Sequence, residues 1–163
     1  PARSGRRDCV SRQTKRCIKF GSFVLLTLYI AVLIYVCFFS EDYGRDVITS
    51  YYRYNLIPFK EIRRFYIYRD VVGIRAFLAN LFGNVLAFMP YGFFMPILRP
   101  KLRRMNRMFL AAFLLSLTIE ITQLLTRVGS FDVDDLILNT AGGIAGYLLF
   151  YIMNKIRSKW DGA

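Results

Sequence analysis

The chain contains no histidine, and this absence removes much of the usual chemistry of enzymes. Histidine is the commonest metal ligand and the usual base of hydrolytic triads, so a zinc site and a Ser-His-Asp hydrolase are both disfavoured. Cysteine is scarce: Cys9, Cys17 and Cys37 are the three in the sequence. The topology derived below places Cys9 and Cys17 on the reducing, cytoplasmic side and Cys37 within a helix, and we therefore expect no disulfide.

The long apolar stretches lack the polar stripes that a helix buried in a soluble protein carries. With 55% hydrophobic residues and a mean hydropathy of +0.35, the composition is unusual for a soluble domain. A hydrocarbon core needs roughly 20 apolar residues per helix. Four stretches qualify, at about residues 20–39, 76–98, 108–126 and 135–153. The sequence therefore predicts an all-α polytopic membrane protein built as a bundle of four transmembrane helices.

Acidic residues are few, 11 against 23 Lys and Arg, and the net charge of +12 raises the question of nucleic-acid binding. The basic residues cluster in three places, at residues 1–19, 99–107 and 155–159. These places lie at alternate ends of the predicted spans and therefore on one side of the membrane, which is the positive-inside pattern. We expect no nucleic-acid partner, two cytoplasmic termini, and contact of the inner bases with anionic lipid headgroups.

The same pattern divides the chain into a membrane domain between two tails. The domain covers residues 20–154, and basic cytoplasmic tails cover residues 1–19 and 155–163. We assign no structure to residues 1–10. Between the first two spans, the outer segment at 40–73 turns aromatic and basic, and we expect a short helix near 59–68 folded onto the outer surface. A plain aromatic belt at the membrane interface is the alternative.

Polar residues inside the spans gather at one depth, in the outer half of the bilayer. A rise of about 1.5 Å per residue places them roughly 6 to 13 Å below the predicted span ends. A carboxylate facing lipid is costly, so Glu120 should face the bundle interior. The group is either a pocket open to the outside or interhelical hydrogen bonding that pins the helices together. Its members are Asn80, Asn84, Glu120, Gln123 and Asn139, beneath a rim of Arg127, Asp132 and Asp135.

Three aspartates, Asp132, Asp134 and Asp135, open the fourth span. Aspartate favours a helix start through capping and the helix dipole, and Ser130 or Asp132 is the expected cap. Carboxylates gathered in this way could also hold a divalent cation through oxygen ligands. We expect no cofactor and keep a divalent cation on Asp132 and Asp135 as the alternative.

Small residues recur along the fourth span at Gly142, Gly143 and Gly146. Glycine lets two helix backbones approach closely. We interpret these residues as a packing surface and assign them no catalytic role.

Taken in order, several stretches resemble the VanZ-like family, which is named for a protein associated with resistance to teicoplanin. The similarity covers roughly residues 20–154, and no single stretch is specific without the others. The resemblance implies a bacterial plasma-membrane protein linked to teicoplanin-type lipoglycopeptides, without an established reaction. The matching stretches are Asn55-Leu-Ile-Pro-Phe59, Asn80-Leu-Phe-Gly-Asn84 with Pro90-Tyr-Gly92, Glu120-Ile-Thr-Gln123 with Arg127, and Phe131-Asp-Val-Asp-Asp135 running to Asn139 and Gly142-Gly143.

Three functions compete at this point. The first is a binding protein whose outer pocket engages a membrane lipid, a lipid-linked wall precursor or the lipoglycopeptide itself. The second is a membrane enzyme acting on a lipid or wall precursor, with Glu120 as acid or base and Asp132 and Asp135 orienting water or a metal; Glu120 and Asp135 are the catalytic candidates. The third, a transporter, is the weakest, because the polar group has no counterpart in the inner half. The sequence leaves the oligomeric state undecided, and an oligomer is possible.

Overall fold

The computed structural model describes residues 2–39, 52–68 and 74–161. The described residues form five helices, with a 3-10 turn at Pro100–Arg103 and two short strands, β1 (Tyr54–Asn55) and β2 (Phe131–Asp132). The helices are α1 (Ala2–Phe39), α2 (Lys60–Ile67), α3 (Ile74–Leu98), α4 (Met105–Thr126) and α5 (Val133–Asp161).

Four of these helices are long and apolar enough to cross a membrane, which confirms the predicted all-α polytopic fold. The fifth, α2, is the short helix predicted between the first two spans. The membrane-length parts of the long helices are Gln13–Phe39, Leu81–Leu98, Met105–Thr126 and Val133–Ser158.

The N-terminal stretch differs from the expectation. We assigned no structure to residues 1–10, whereas α1 is continuous from Ala2 to Phe39. Residues 2–19 contain no proline and seven Arg and Lys residues, which propagate a helix well once the apolar span has formed. The basic tail is therefore a helical extension of the first span.

Helix α5 is the centre of the bundle. In its membrane-length window 44% of residues are buried, against 11% in α1, which packs at the edge. The closest packing is between α3 and α5, where a Cβ added at Gly142 would lie on the backbone of Val85 and one at Gly146 on that of Met89. The predicted packing role of these glycines is confirmed.

The half of the bundle near the α3–α4 turn is an apolar core. Met108 and Ala112 of α4 pack with Tyr147 and Phe150 of α5. The Tyr147 hydroxyl donates to the Arg103 carbonyl at 2.7 Å, and this hydrogen bond fixes the basic turn against the core.

The opposite half, where α4 ends and α5 begins, is polar; the charge pattern predicts that this end lies outside the cell. We call it the α4–α5 end. Here β1 pairs in parallel with β2, with Tyr54 opposite Phe131 and Asn55 opposite Asp132. This pairing holds the connecting segment, which we define as residues 52–68, over the ends of the spans.

Candidate functional site

Asp134 joins the connecting segment to the helical bundle. Its side chain is 1% exposed, and its two carboxylate oxygens accept backbone N–H groups at the start of α2. The donors are the N–H of Phe59, that of Glu61 at 2.8 Å and that of Ile62 at 3.1 Å. Phe59 stands at the N-cap of α2 with φ 64° and makes no side-chain cap. Asp134 therefore supplies from α5 the acceptor that α2 lacks, at the positive end of its helix dipole.

Asp132 caps α5 and at the same time binds the connecting segment. Its Oδ1 accepts the Asp134 N–H at 2.8 Å, the bond of an N-cap residue, and confirms Asp132 as the cap. The same oxygen accepts the Asn55 side-chain amide at 3.1 Å across the β1–β2 pair. Both residues are buried, Asn55 to 8% and Asp132 to 9% exposure. One carboxylate thus sets the helix start and the strand register.

Burial raises the pKa of Asp132 above its ordinary value. The hydrogen bonds from Asp134 and Asn55 act in the opposite direction, and the negative charges of Asp134 and Glu61 add to the rise. Desolvation is the largest of these effects, because it disfavours the charged carboxylate.

Glu120 reaches from α4 to the start of α5. It is 2% exposed, and its Oε2 accepts the backbone N–H of Asp132 at 2.9 Å. The prediction that Glu120 faces the interior is confirmed. The structure brings Glu120 to the Asp132 backbone, and the carboxylate of Asp132 points instead to Asn55.

Two further polar pairs join the spans below this level. The Asn84 amide of α3 donates to Asp135 Oδ1 of α5 at 2.5 Å. One turn deeper on α5, the Asn139 amide donates to the hydroxyl of Ser116 at 3.0 Å. Ser116 has no exposed surface and Asn139 is 4% exposed, yet the Asn139 side-chain carbonyl has no hydrogen-bond partner among the described residues.

We call this set the polar cluster. It combines four carboxylates with amides and one hydroxyl, drawn from the connecting segment, α3, α4, β2 and α5. Its members are Asn55, Asn84, Ser116, Glu120, Asp132, Asp134, Asp135 and Asn139.

Two other predicted site residues, Gln123 and Arg127, make their contacts with residues outside this cluster. The Gln123 amide donates to the Cys37 carbonyl of α1 at 2.9 Å and so joins α4 to the outermost span. Arg127 ends α4 with φ 59° and lies over the Tyr52 ring, with its guanidinium carbon 4.7 Å from the ring centroid. Asn80 belongs to α3, but its side chain falls outside the described part of the structure.

Asp132 and Asp135 were the candidates for holding a divalent cation in the sequence analysis. Among the described residues, no group of three or more acidic or thiol side chains is placed to hold a metal. One oxygen of Asp132 is occupied by Asn55 and the Asp134 N–H, and one of Asp135 by Asn84. The carboxylates are therefore used to join elements of the fold.

Asp134, Asn55 and Ser116 were not among the predicted site residues. Capping and the helix dipole account for aspartates at this helix start in general, and the contact of Asp134 with α2 could not be read from local sequence. A signal was available nonetheless: Phe59 is a poor cap for the short helix, and three aspartates exceed what one helix start needs. Ser116 is one helical turn from Glu120, the same spacing that relates Asn80 to Asn84.

Comparison with known proteins gives two matches. A family model described as VanZ/LLP1 matches residues 26–154. The chain is also similar to a protein of Enterococcus faecium described as Protein VanZ, with 30% identity over 133 residues. That match covers 80% of this chain and 74% of the relative. No solved structure matches.

Proposed function

The chain belongs to the VanZ/LLP1 family, and from this we propose that it acts in the bacterial plasma membrane to lower susceptibility to teicoplanin-type lipoglycopeptides. The proposed means is the polar cluster together with the connecting segment that it holds at the membrane surface. The ligand engaged there is a lipid or glycan headgroup, or the antibiotic itself.

The observation that carries the proposal is the placement of Glu120. A carboxyl at 2% exposure within an apolar span is expensive in free energy, and such residues are mostly retained for function. Amides alone would suffice to pin helices together. Here a carboxylate reaches the backbone of Asp132, whose own side chain binds Asn55 of the connecting segment. Glu120 is thus coupled to a surface element through two hydrogen bonds.

The Asn139 carbonyl gives independent support. A buried acceptor with no donor among the described residues costs on the order of 1–3 kcal/mol, so a fold that needed only stability would have little reason to keep it. It lies next to Ser116, one turn below Asp135 on α5. A hydroxyl or N–H group of a bound molecule would satisfy it.

The surface of the connecting segment suits an amphiphilic ligand. Tyr52 and Tyr54 are 52% and 67% exposed, and aromatic rings of this kind contact sugars or lie at the headgroup level. Arg127 stacks on Tyr52 and presents a guanidinium beside it, which suits a phosphate or carboxylate. A lipoglycopeptide carries an acyl chain and sugars and reaches the same surface.

The proposal is tested by expressing the chain in a susceptible Gram-positive host. We expect a higher minimal inhibitory concentration for teicoplanin than with an empty vector, and a smaller change for a glycopeptide without an acyl chain. Arg127→Gln should reduce the protection, because it removes the charge beside Tyr52. Equal susceptibility with and without the chain, at verified membrane abundance, would contradict the proposal.

A membrane enzyme is the second candidate, and the specific observation that favours it is again the buried carboxyl of Glu120. In that case Glu120 would transfer a proton to or from a lipid-linked wall precursor, with Asp132 and Asp135 orienting water. Mass spectrometry of lipids and wall precursors separates the two. A species that appears only with the active chain favours the enzyme, and unchanged profiles alongside reduced susceptibility favour binding.

A further inference from the structure

A groove of about 410 Å³ lies on the connecting segment, and none of its lining residues belongs to the polar cluster. Its lining is apolar at Ile57, Phe59 and Ile67 and basic at Lys60 and Arg63. The groove therefore offers apolar side chains for a hydrocarbon and cations for an anionic headgroup. Its residues belong to a segment that contacts α3 and α5 at the α4–α5 end.

The apolar side chains of the groove are open to their surroundings. Ile57, Phe59 and Ile67 are 61%, 60% and 54% exposed. Apolar surface of this extent in water is unfavourable by about 25 cal/mol for each Å². At the end of four membrane spans, the medium that covers such side chains is the boundary between headgroups and acyl chains.

The charges at the groove are not balanced within the described residues. Glu61, the acid of α2, pairs with Arg64 at 2.7 Å. Lys60 and Arg63 make no ion pair with any described residue. They are three residues apart and so lie on one face of the helix. Two cations thus stand beside an apolar groove, and the complementary ligand is a phosphate attached to a hydrocarbon.

The start of α2 is also fixed before any ligand arrives. Asp134 holds the N–H groups of Phe59, Glu61 and Ile62, so the backbone that carries Lys60 and Arg63 is already ordered. Binding to a preformed site loses less conformational entropy than binding to a mobile loop.

We propose that this groove is a binding site for an anionic glycerophospholipid of the leaflet at the α4–α5 end. Lys60 and Arg63 hold the phosphate, and Ile57, Phe59 and Ile67 contact the upper parts of the acyl chains. This site concerns lipid binding by the connecting segment and stands whether or not the chain changes antibiotic susceptibility.

The test measures lipid binding at the groove by fluorescence quenching. Tyr68 lines the groove and is replaced as Tyr68→Trp, in a Trp160→Phe background that removes the natural tryptophan. The full chain is reconstituted in phosphatidylcholine vesicles in which brominated phosphatidylglycerol or brominated phosphatidylcholine is the quenching lipid. We expect stronger quenching by phosphatidylglycerol, and a weakening of this preference as salt is added.

The charge variant is Lys60→Gln with Arg63→Gln. It should lower the relative affinity for phosphatidylglycerol by roughly thirtyfold, since each of the two cations near a membrane surface contributes about 1 kcal/mol. The matched control, Lys101→Gln with Arg104→Gln, removes the same charge from the exposed turn at the opposite end and should leave the preference unchanged. Circular dichroism verifies that both variants keep their helices.

Three results would overturn the assignment. Equal quenching by the two lipids in the unaltered chain would show that no anionic lipid is selected. A preference that survives in the charge variant, or falls equally in the control, would place the selection elsewhere. Loss of the preference on adding soluble glycerol phosphate would identify a free phosphate as the ligand.

Discussion

At the scale of single residues, Asp134 shows most clearly how one side chain joins two elements of the fold. It is buried to 1% exposure, lies in the first turn of α5 and accepts three N–H groups of another element. A buried carboxylate is tolerated only when its lone pairs are satisfied, and here backbone donors satisfy it. Asp134, at the start of α5, therefore holds the start of α2 in place through these hydrogen bonds.

Asp134→Asn should release the connecting segment. The neutral amide keeps one acceptor oxygen in place of two and loses the charge-assisted bonds, for an expected loss of about 2 kcal/mol. Tryptic cleavage after Lys60, Arg63 and Arg64 should become faster, and thermal unfolding in detergent should begin at a lower temperature. The matched control, Glu61→Gln, removes an acid from a surface pair and should cost less than about 1 kcal/mol. Equal cleavage rates in the two variants would contradict the anchoring role.

Asp132 should make stability depend on pH. Burial raises the pKa of this carboxyl, so the folded protein binds its proton more tightly than the unfolded chain does. The stability that this protonated carboxyl contributes is therefore fully present below the ordinary aspartate pKa of about 3.9. That stability is lost as pH rises through the raised pKa of Asp132 in the folded protein.

The matched comparison for this prediction is Asp132→Asn, which keeps an acceptor oxygen without a titrating group. As pH is raised from 4 to 7, the melting temperature of the unaltered chain in detergent should fall relative to that of the variant. If the difference in melting temperature between the two proteins stays constant with pH, or grows in favour of the unaltered chain, Asp132 is not the source of the pH dependence.

At the scale of elements, the spans were predictable and their mutual contacts were not. Apolar stretches of membrane length, with Glu120 as an acid inside the third, predict the spans of α1, α3, α4 and α5. A bilayer admits backbone only where its hydrogen bonds are made internally. The pairing of β1 with β2 rests on two residues from each strand, too few to show a periodicity in sequence. The position of α2 depends on Asp134, some 70 residues later in the chain.

The α3–α5 interface gives a prediction at this scale. Gly142→Ala should destabilise the bundle, because the new Cβ would meet the Val85 backbone, which cannot move aside as a flexible side chain does. Overpacking of this kind costs about 1–3 kcal/mol. In the control Gly21→Ala, the new Cβ has no atom within 4 Å, and the change should be neutral or slightly stabilising. Denaturation in mixed micelles measures both, and equal stability of the two variants would contradict close backbone packing.

At the scale of the molecule, the chain is divided into an apolar half and a polar half. Counting helical rise along the sequence placed Asn84, Glu120 and Asn139 at one level, and they lie in the polar half. Their partners could not be read from depth: Glu120 binds a backbone N–H and Asn139 binds Ser116. Depth follows from the rise of a helix, whereas rotation about its axis depends on neighbours that local sequence does not specify.

The orientation of the polar half is open to direct measurement. The clustering of Lys and Arg near the α3–α4 turn and at both termini predicts that these parts lie in the cytoplasm. In a cysteine-free background, Tyr52→Cys should react with a membrane-impermeant maleimide on intact cells, and Lys101→Cys should react only after the cells are opened. Labelling in the reverse order would place the polar cluster on the cytoplasmic side.

The central claim is that the polar cluster carries the protective function, and Glu120→Gln tests it most directly. Glutamine keeps the shape of the side chain and an oxygen that can accept the Asp132 N–H, so the acidic group is removed with little disturbance of the fold. The measurement is the minimal inhibitory concentration of teicoplanin at equal membrane abundance, with Leu125→Ala on the lipid-exposed side of α4 as the control. We predict that Glu120→Gln returns susceptibility toward the empty-vector value while Leu125→Ala keeps protection. Full protection by Glu120→Gln would contradict the claim.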